Sequence, residues 1–202
     1  MKKLTLAVFA LIVAFGFGAG NASAQMKSGS SAPMKNDKMM KSDNPMVGGA
    51  AMYKNKNIVE NAMNSKDHTT LVAAVKAAGL VETLQGKGPF TVFAPTNAAF
   101  DMLPAGTVDM LLKPENMTML QNALKYHVVA GKMDSKSIMK AIKKGKGKAM
   151  LTTVEGSMLT AMMEGNSIVL TDEKGGKSRI TIADVKQSNG VIHVVDSVLM
   201  MN

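Results

Sequence analysis

The dominant spacing of the apolar residues in this chain changes near Ala149, and that change constrains the fold more than any other feature of the sequence. From Asn57 to Ile142 they recur three or four residues apart, the period of helices packed on one face. Beyond Ala149 they fall into short β-type runs at residues 150–154, 157–163, 167–171, 179–185 and 191–199, split by Gly turns. Helices first and strands later imply an α+β architecture, not the alternating β-α-β order of a parallel sheet.

The local signals within the helical half agree with this. Asn57, with Glu60 three residues on, forms a capping box ahead of Ile58, Val59 and Met63. Asp67 is placed to cap a second helix carrying Leu71, Val72, Val75 and Ala78, which Gly79 ends. Gly86-Lys87-Gly88-Pro89 signals a turn, and residues 90–94 read as a buried strand stopped by Pro95. Thr96 or Asn97 then caps a helix over 98–103, and Thr107 caps one over 108–112. Pro114 opens a helix through Leu124, residues 126–129 turn extended, and Asp134 caps a helix carrying Ile138, Met139 and Ile142. In the β half, Asn189-Gly190 reads as a tight turn needing positive φ. The β-branched run after it suits a strand buried on at least one face.

The first 24 residues read as a secretion signal. Lys2 and Lys3 precede an apolar run at 4–17, and Ala22-Ser23-Ala24 supplies the small-x-small pattern for a cut after Ala24. The run is short of the roughly 20 residues a membrane span needs, so no stable insertion is expected after cleavage. Residues 25–52, rich in Lys, Ser, Gly, Asn and Met with Pro33 and Pro45, read as a tether without a core of its own. The globular domain is then 53–202, secreted or periplasmic. The chain has no Cys, which excludes disulfides and thiolate metal sites and leaves packing to hold the domain together. Aromatics make up 4% and Trp is absent, so the core must be aliphatic and Met-built.

The net charge of +9 on an exported chain favours acidic glycans, anionic envelope polymers or membrane surfaces over nucleic acid as partners. Lys136, Lys140, Lys143, Lys144, Lys146 and Lys148 cluster around Gly145 and Gly147. They read either as a polyanion-binding patch driven by counterion release or as a solvated helix end. Met accounts for 20 of 202 residues, six of them in the tether. Thioethers are soft ligands, so Met34, Met39, Met40 and Met46 carry an alternative function, Cu(I) capture or oxidant protection.

Signals for other chemistry are weak. The three His lie far apart in sequence without an H-x-x-x-H spacing, so no metal site and no cofactor are expected. His68 beside Asp67 is expected at the surface, and His193, inside an apolar strand, in the structure's interior. Asp172-Glu173-Lys174-Gly175 has Lys where an EF-hand needs its second ligand. Ser137-Ile138-Met139-Lys140 and Ser42-Asp43-Asn44 match penicillin-enzyme motifs, but in the reverse order and without K-T-G. No enzyme is expected.

Three segments together resemble the fasciclin domain. They are residues 88–100 (Gly-Pro-Phe-Thr-Val-Phe-Ala-Pro-Thr-Asn-Ala-Ala-Phe), Tyr126-His127-Val128-Val129, and residues 189–199 (Asn-Gly-Val-Ile-His-Val-Val-Asp-Ser-Val-Leu). The resemblance spans roughly residues 54–200. It implies a β-rich wedge or sandwich with helices packed along one side. It also implies an exported binding module that adheres to a cell-surface or matrix polymer or protein, glycans included; the charge adds that such a glycan would be anionic. Tyr126 and His127 match a Tyr-His pair linked to receptor binding in animal relatives. Asp184 and Val185 match the accompanying Asp-Ile pair, with Val in place of Ile. The residues alone leave a second reading of Tyr126 and His127, as internally hydrogen-bonded groups at a helix-to-strand junction.

Overall fold

The computed structural model describes residues 44–201. It opens with a small hairpin, β1 (Met46–Val47) and β2 (Ala50–Ala51). Helices α1 (Ile58–Ala62), α2 (Thr69–Ala77) and α3 (Val81–Gln85) follow, then strand β3 (Phe90–Pro95). Next come α4 (Asn97–Asp101), α5 (Thr107–Leu111), α6 (Met117–Tyr126), the short strand β4 (Val128–Ala130) and α7 (Ser135–Lys144). Five strands complete the chain: β5 (Lys148–Thr152), β6 (Met158–Glu164), β7 (Ser167–Thr171), β8 (Lys177–Gln187) and β9 (Gly190–Val195). The α+β order expected from the spacing change is therefore the order found.

The main sheet has seven strands in the order β4-β3-β9-β8-β7-β6-β5. β3 and β9 run parallel, and every other neighbouring pair is antiparallel. The sheet curls until its two edges touch: Val129 bridges Thr153, and the Val154 N–H donates to the Val128 carbonyl at 2.7 Å.

The strand period of two splits the interior into two cores. Along β3, Val92 and Ala94 face a core shared with α1, α2, α3 and α6, while Phe93 faces the other. β9 divides the same way, with Ile192 and Val194 on the first side and Val195 on the second. All six β9 residues are buried, in keeping with a run that is β-branched at Val191, Ile192, Val194 and Val195. The second core is closed by Ile138 and Ile142 of α7, which packs on β5 and β6.

Several caps stand where the sequence puts them. Asn57 and Glu60 complete the capping box, Thr96 caps α4, and Asp134 caps α7 through the Ser137 N–H at 2.8 Å. Others differ. His68, not Asp67, precedes α2, and Gly106 precedes α5 with no side-chain cap. Pro114 opens a 3-10 turn, Pro114–Asn116, ahead of α6.

The tether boundary needs correction too. Val47 and Met52 are buried in the first core, so the folded domain starts ahead of residue 53. The β1–β2 hairpin is held by the Lys66 N–H on the Gly48 carbonyl at 3.1 Å. The signal at 1–24 and the tether up to residue 43 lie outside the described residues.

Candidate functional site

Tyr126 is the last residue of α6 and His127 its C-cap, where helix turns to strand. The Tyr126 ring is fully buried in the second core. Its hydroxyl donates to the Met158 carbonyl at 3.2 Å and accepts from the Glu173 N–H at 3.3 Å. Burial pushes its pKa up to about 12. His127 accepts the Leu199 N–H at Nε2, 3.0 Å, which places its proton on Nδ1, 2.8 Å from the Ala123 carbonyl. Burial lowers its pKa and keeps the ring neutral, against the smaller pull of that carbonyl.

Asp184 sits at φ 62° where β8 slips register against β9. Its carboxylate accepts from the Ser135 N–H at 2.6 Å and the Ser135 hydroxyl at 2.5 Å. It thus joins Asp134 in holding the N-terminus of α7. Its own N–H donates to His193 Nδ1 at 3.3 Å, and His193 Nε2 faces the Met133 carbonyl at 2.8 Å. The His193 ring stacks on Phe93, its partner in the β3–β9 register, at 5.7 Å. Val185 is buried in the first core. Tyr126 thus packs in the second core and Val185 in the first, while His127 is buried at the end of α6 and half-buried Asp184 holds the start of α7.

The six lysines are all at the surface. Lys136, Lys140, Lys143 and Lys144 project from α7, whose Ile138 and Ile142 face inward; Lys146 and Lys148 follow, and all six are exposed. No Asp or Glu occurs between residues 135 and 154. Among the described residues the one ion pair is Lys177–Glu164, so the cluster is not neutralised by the fold. Carboxylates at the N-terminus of α7 and lysines at its C-terminus both complement the helix dipole.

Met34, Met39 and Met40 lie outside the described residues. Met46 is exposed on β1, whereas Met52 is a core residue, so the N-terminal methionines do not share one environment. His68 is buried, not at the surface: its Nδ1 lies 2.9 Å from the Ser65 hydroxyl, and burial lowers its pKa. Among the described residues no group of three His, Asp or Glu is placed to hold a metal ion.

The Asn189-Gly190 pair works differently from the tight turn expected. Neither residue has positive φ. Gly190 is required by crowding, because a Cβ there would lie 2.1 Å from the Phe90 carbonyl oxygen. Asn189 accepts the Ile58 N–H at 3.0 Å and donates to the Leu84 and Gly86 carbonyls at 2.7 and 3.0 Å. Asp172 was likewise legible only as a failed calcium loop. Its carboxylate in fact accepts the Lys174, Gly176 and Met200 N–H groups, fastening the β7–β8 turn to the C-terminal segment.

The family model described as Fasciclin domain matches residues 66–201. Protein sll1483 of Synechocystis sp. is 44% identical, the match covering 77% of this chain and 79% of the relative. Immunogenic protein MPB70 of Mycobacterium bovis is 36% identical over 69% of this chain and 66% of its own length. A FAS1 domain pair from the insect cell adhesion molecule Fasciclin I superposes with a TM-score of 0.64 at 18% identity, covering 72% of this chain and 51% of that one. The chain belongs to the fasciclin domain family.

Proposed function

We propose that this chain is an exported, non-enzymatic adhesion module that holds an anionic polymer of the cell envelope or matrix through the α7 lysine surface. The observation that supports this reading most is the six exposed lysines on one acid-free stretch, held rigid by α7. Family membership and the likeness to a domain pair of an insect cell adhesion molecule favour adhesion as the general role. Transforming growth factor-beta-induced protein ig-h3 of Sus scrofa, 39% identical over 64% of this chain, is a multi-fold longer relative, of which the match covers 17%. Attraction between the lysines and fixed negative charge would act through counterion release, so it would weaken steeply with salt.

The test is retention on immobilised heparin, and on washed producer cells, across a salt series. The native chain should bind saturably. The variant Lys140→Gln/Lys143→Gln/Lys144→Gln/Lys146→Gln should bind weakly, its log–log salt slope shallower by about 0.7–0.9 per lysine that contacts the polymer. An unchanged slope would remove the lysine surface from the function.

A further inference from the structure

Strands β5 and β6 form a hairpin whose two faces have different surroundings. Ala149, Leu151, Leu159 and Ala161 face the second core, against α7. The other face carries three registered pairs: Lys148 with Met162, Met150 with Thr160, and Thr152 with Met158. Met150 is 59% exposed and Met158 44%, so neither fills a gap in a core, the ordinary use of methionine. Met162 differs, being half-buried and opposite Val169 of β7, which is itself buried.

The two exposed thioethers are turned toward the seam between the strands. The Thr160 hydroxyl donates to Met150 Sδ at 3.4 Å, and the Thr152 hydroxyl donates to Met158 Sδ at 3.5 Å. Each sulfur thus reaches across to the opposite strand, one from β5 and the other from β6. Met150 and Met158 are diagonal neighbours in the register, a separation of roughly 7–8 Å that long side chains span. Methionine is unbranched and freely rotating, so the two sulfurs can close on one ion at the cost of two weak hydrogen bonds.

The charge beside Met158 is negative. Glu173 accepts the Met158 N–H at 3.4 Å, and Glu155 accepts the Ser157 N–H at 3.1 Å. Neither carboxylate is ion-paired among the described residues. Lys148 stands at the opposite end of the face, across from Met162.

From this arrangement we infer that Met150 and Met158 bind one Cu(I) ion between them. Thioethers are soft ligands that suit Cu(I), whereas Mg(II) and Ca(II) take carboxylate and carbonyl oxygen. Among the described residues no group of three His, Asp or Glu offers those ions a site, so sulfur sets the selection. The two carboxylates favour a cation at this end of the hairpin. The copper enters and leaves as Cu(I), and no electron is transferred. The site uses neither the α7 lysines nor Met34, Met39, Met40 and Met46, so it stands or falls apart from the adhesion reading.

The experiment follows the methionine ε-methyl NMR signals of the full exported chain, labelled with methyl-13C methionine. The titrants are Ag(I), a redox-inert stand-in, and Cu(I) under nitrogen. The Met150 and Met158 signals are assigned by loss in Met150→Leu and Met158→Leu, volume-conserving changes at exposed positions that leave the fold intact. Both signals should shift together, with one midpoint and saturation at one ion per pair. Either single variant should weaken binding at the remaining thioether by about tenfold or more, because its strand-held partner no longer supplies a high local concentration. Met162→Leu should bind as the native chain does, and Ca(II) or Mg(II) at the same concentration should move neither signal. Two signals that stay still while other methionines shift overturn the inference. So do two signals that titrate with separate midpoints, each unaffected by loss of the other thioether.

Discussion

The side chain of Asn189 closes three backbone ends with one amide: the start of α1, the end of α3 and the turn before β3. The bonds to Ile58 and Leu84 are buried, where no water substitutes readily, and the bond to Gly86 is partly so. Asn189→Ala leaves one donor and two acceptors unmet, so a loss of about 2–4 kcal/mol is expected in urea unfolding. Asn189→Asp, which keeps the acceptor for Ile58 and loses the donors, should also be destabilising. The three histidines make a second residue-scale statement. Burial lowers the pKa of His68, His127 and His193 in the folded chain, against about 6.5 in the unfolded one. Below that value the unfolded chain binds more protons than the folded chain. Stability is therefore full above pH 6.5 and falls as the pH drops through it, by up to about 1.4 kcal/mol per pH unit for each ring. Urea midpoints at pH 7.5, 6.0 and 5.0 check this; equal midpoints would mean the rings titrate alike in both states.

At the scale of elements, α7 is positioned by a strand remote in sequence. Asp184, in the β8 irregularity, grips Ser135 with both carboxylate oxygens. Asp184→Ala should speed amide hydrogen exchange through the first turns of α7 while leaving α2 near its native rate, with a global cost of about 1–3 kcal/mol. The order of elements was legible because it depends on period alone: 3.6 residues through Ile142, two beyond Ala149. The Asn57, Thr96 and Asp134 caps were legible because a cap acts within three residues of itself. What could not be read was long-range. Asn189 spends its hydrogen bonds on residues more than 100 positions away, and Asp184 reaches back 49. His68 looked exposed because its neighbours in sequence are polar, whereas its burial is decided by the β1–β2 hairpin and the elements around it. The same holds for the receptor-type pairs: their residue types suggest recognition, while in the fold Tyr126, His127 and Val185 are buried and Asp184 holds the start of α7.

For the molecule as a whole, the N-terminal limit of the fold is a measurable property. A chain beginning at Asn44 keeps Val47 and Met52 in the first core. One beginning at Tyr53 removes both, each worth about 1.5–3 kcal/mol when fully buried, and loses the hairpin bond to Lys66. The shorter chain should unfold at a distinctly lower urea concentration; equal midpoints would show the hairpin to be an ornament on a self-sufficient core.

The meeting of β4 and β5 has a consequence for life in a crowd. An open sheet offers rows of free N–H and C=O groups, on which a second copy can add strands and begin a fibre. Here the bridge from Val129 to Thr153 uses the two edges on each other. Many copies could therefore stand side by side on a surface, as dense as a lawn, without their backbones knitting together.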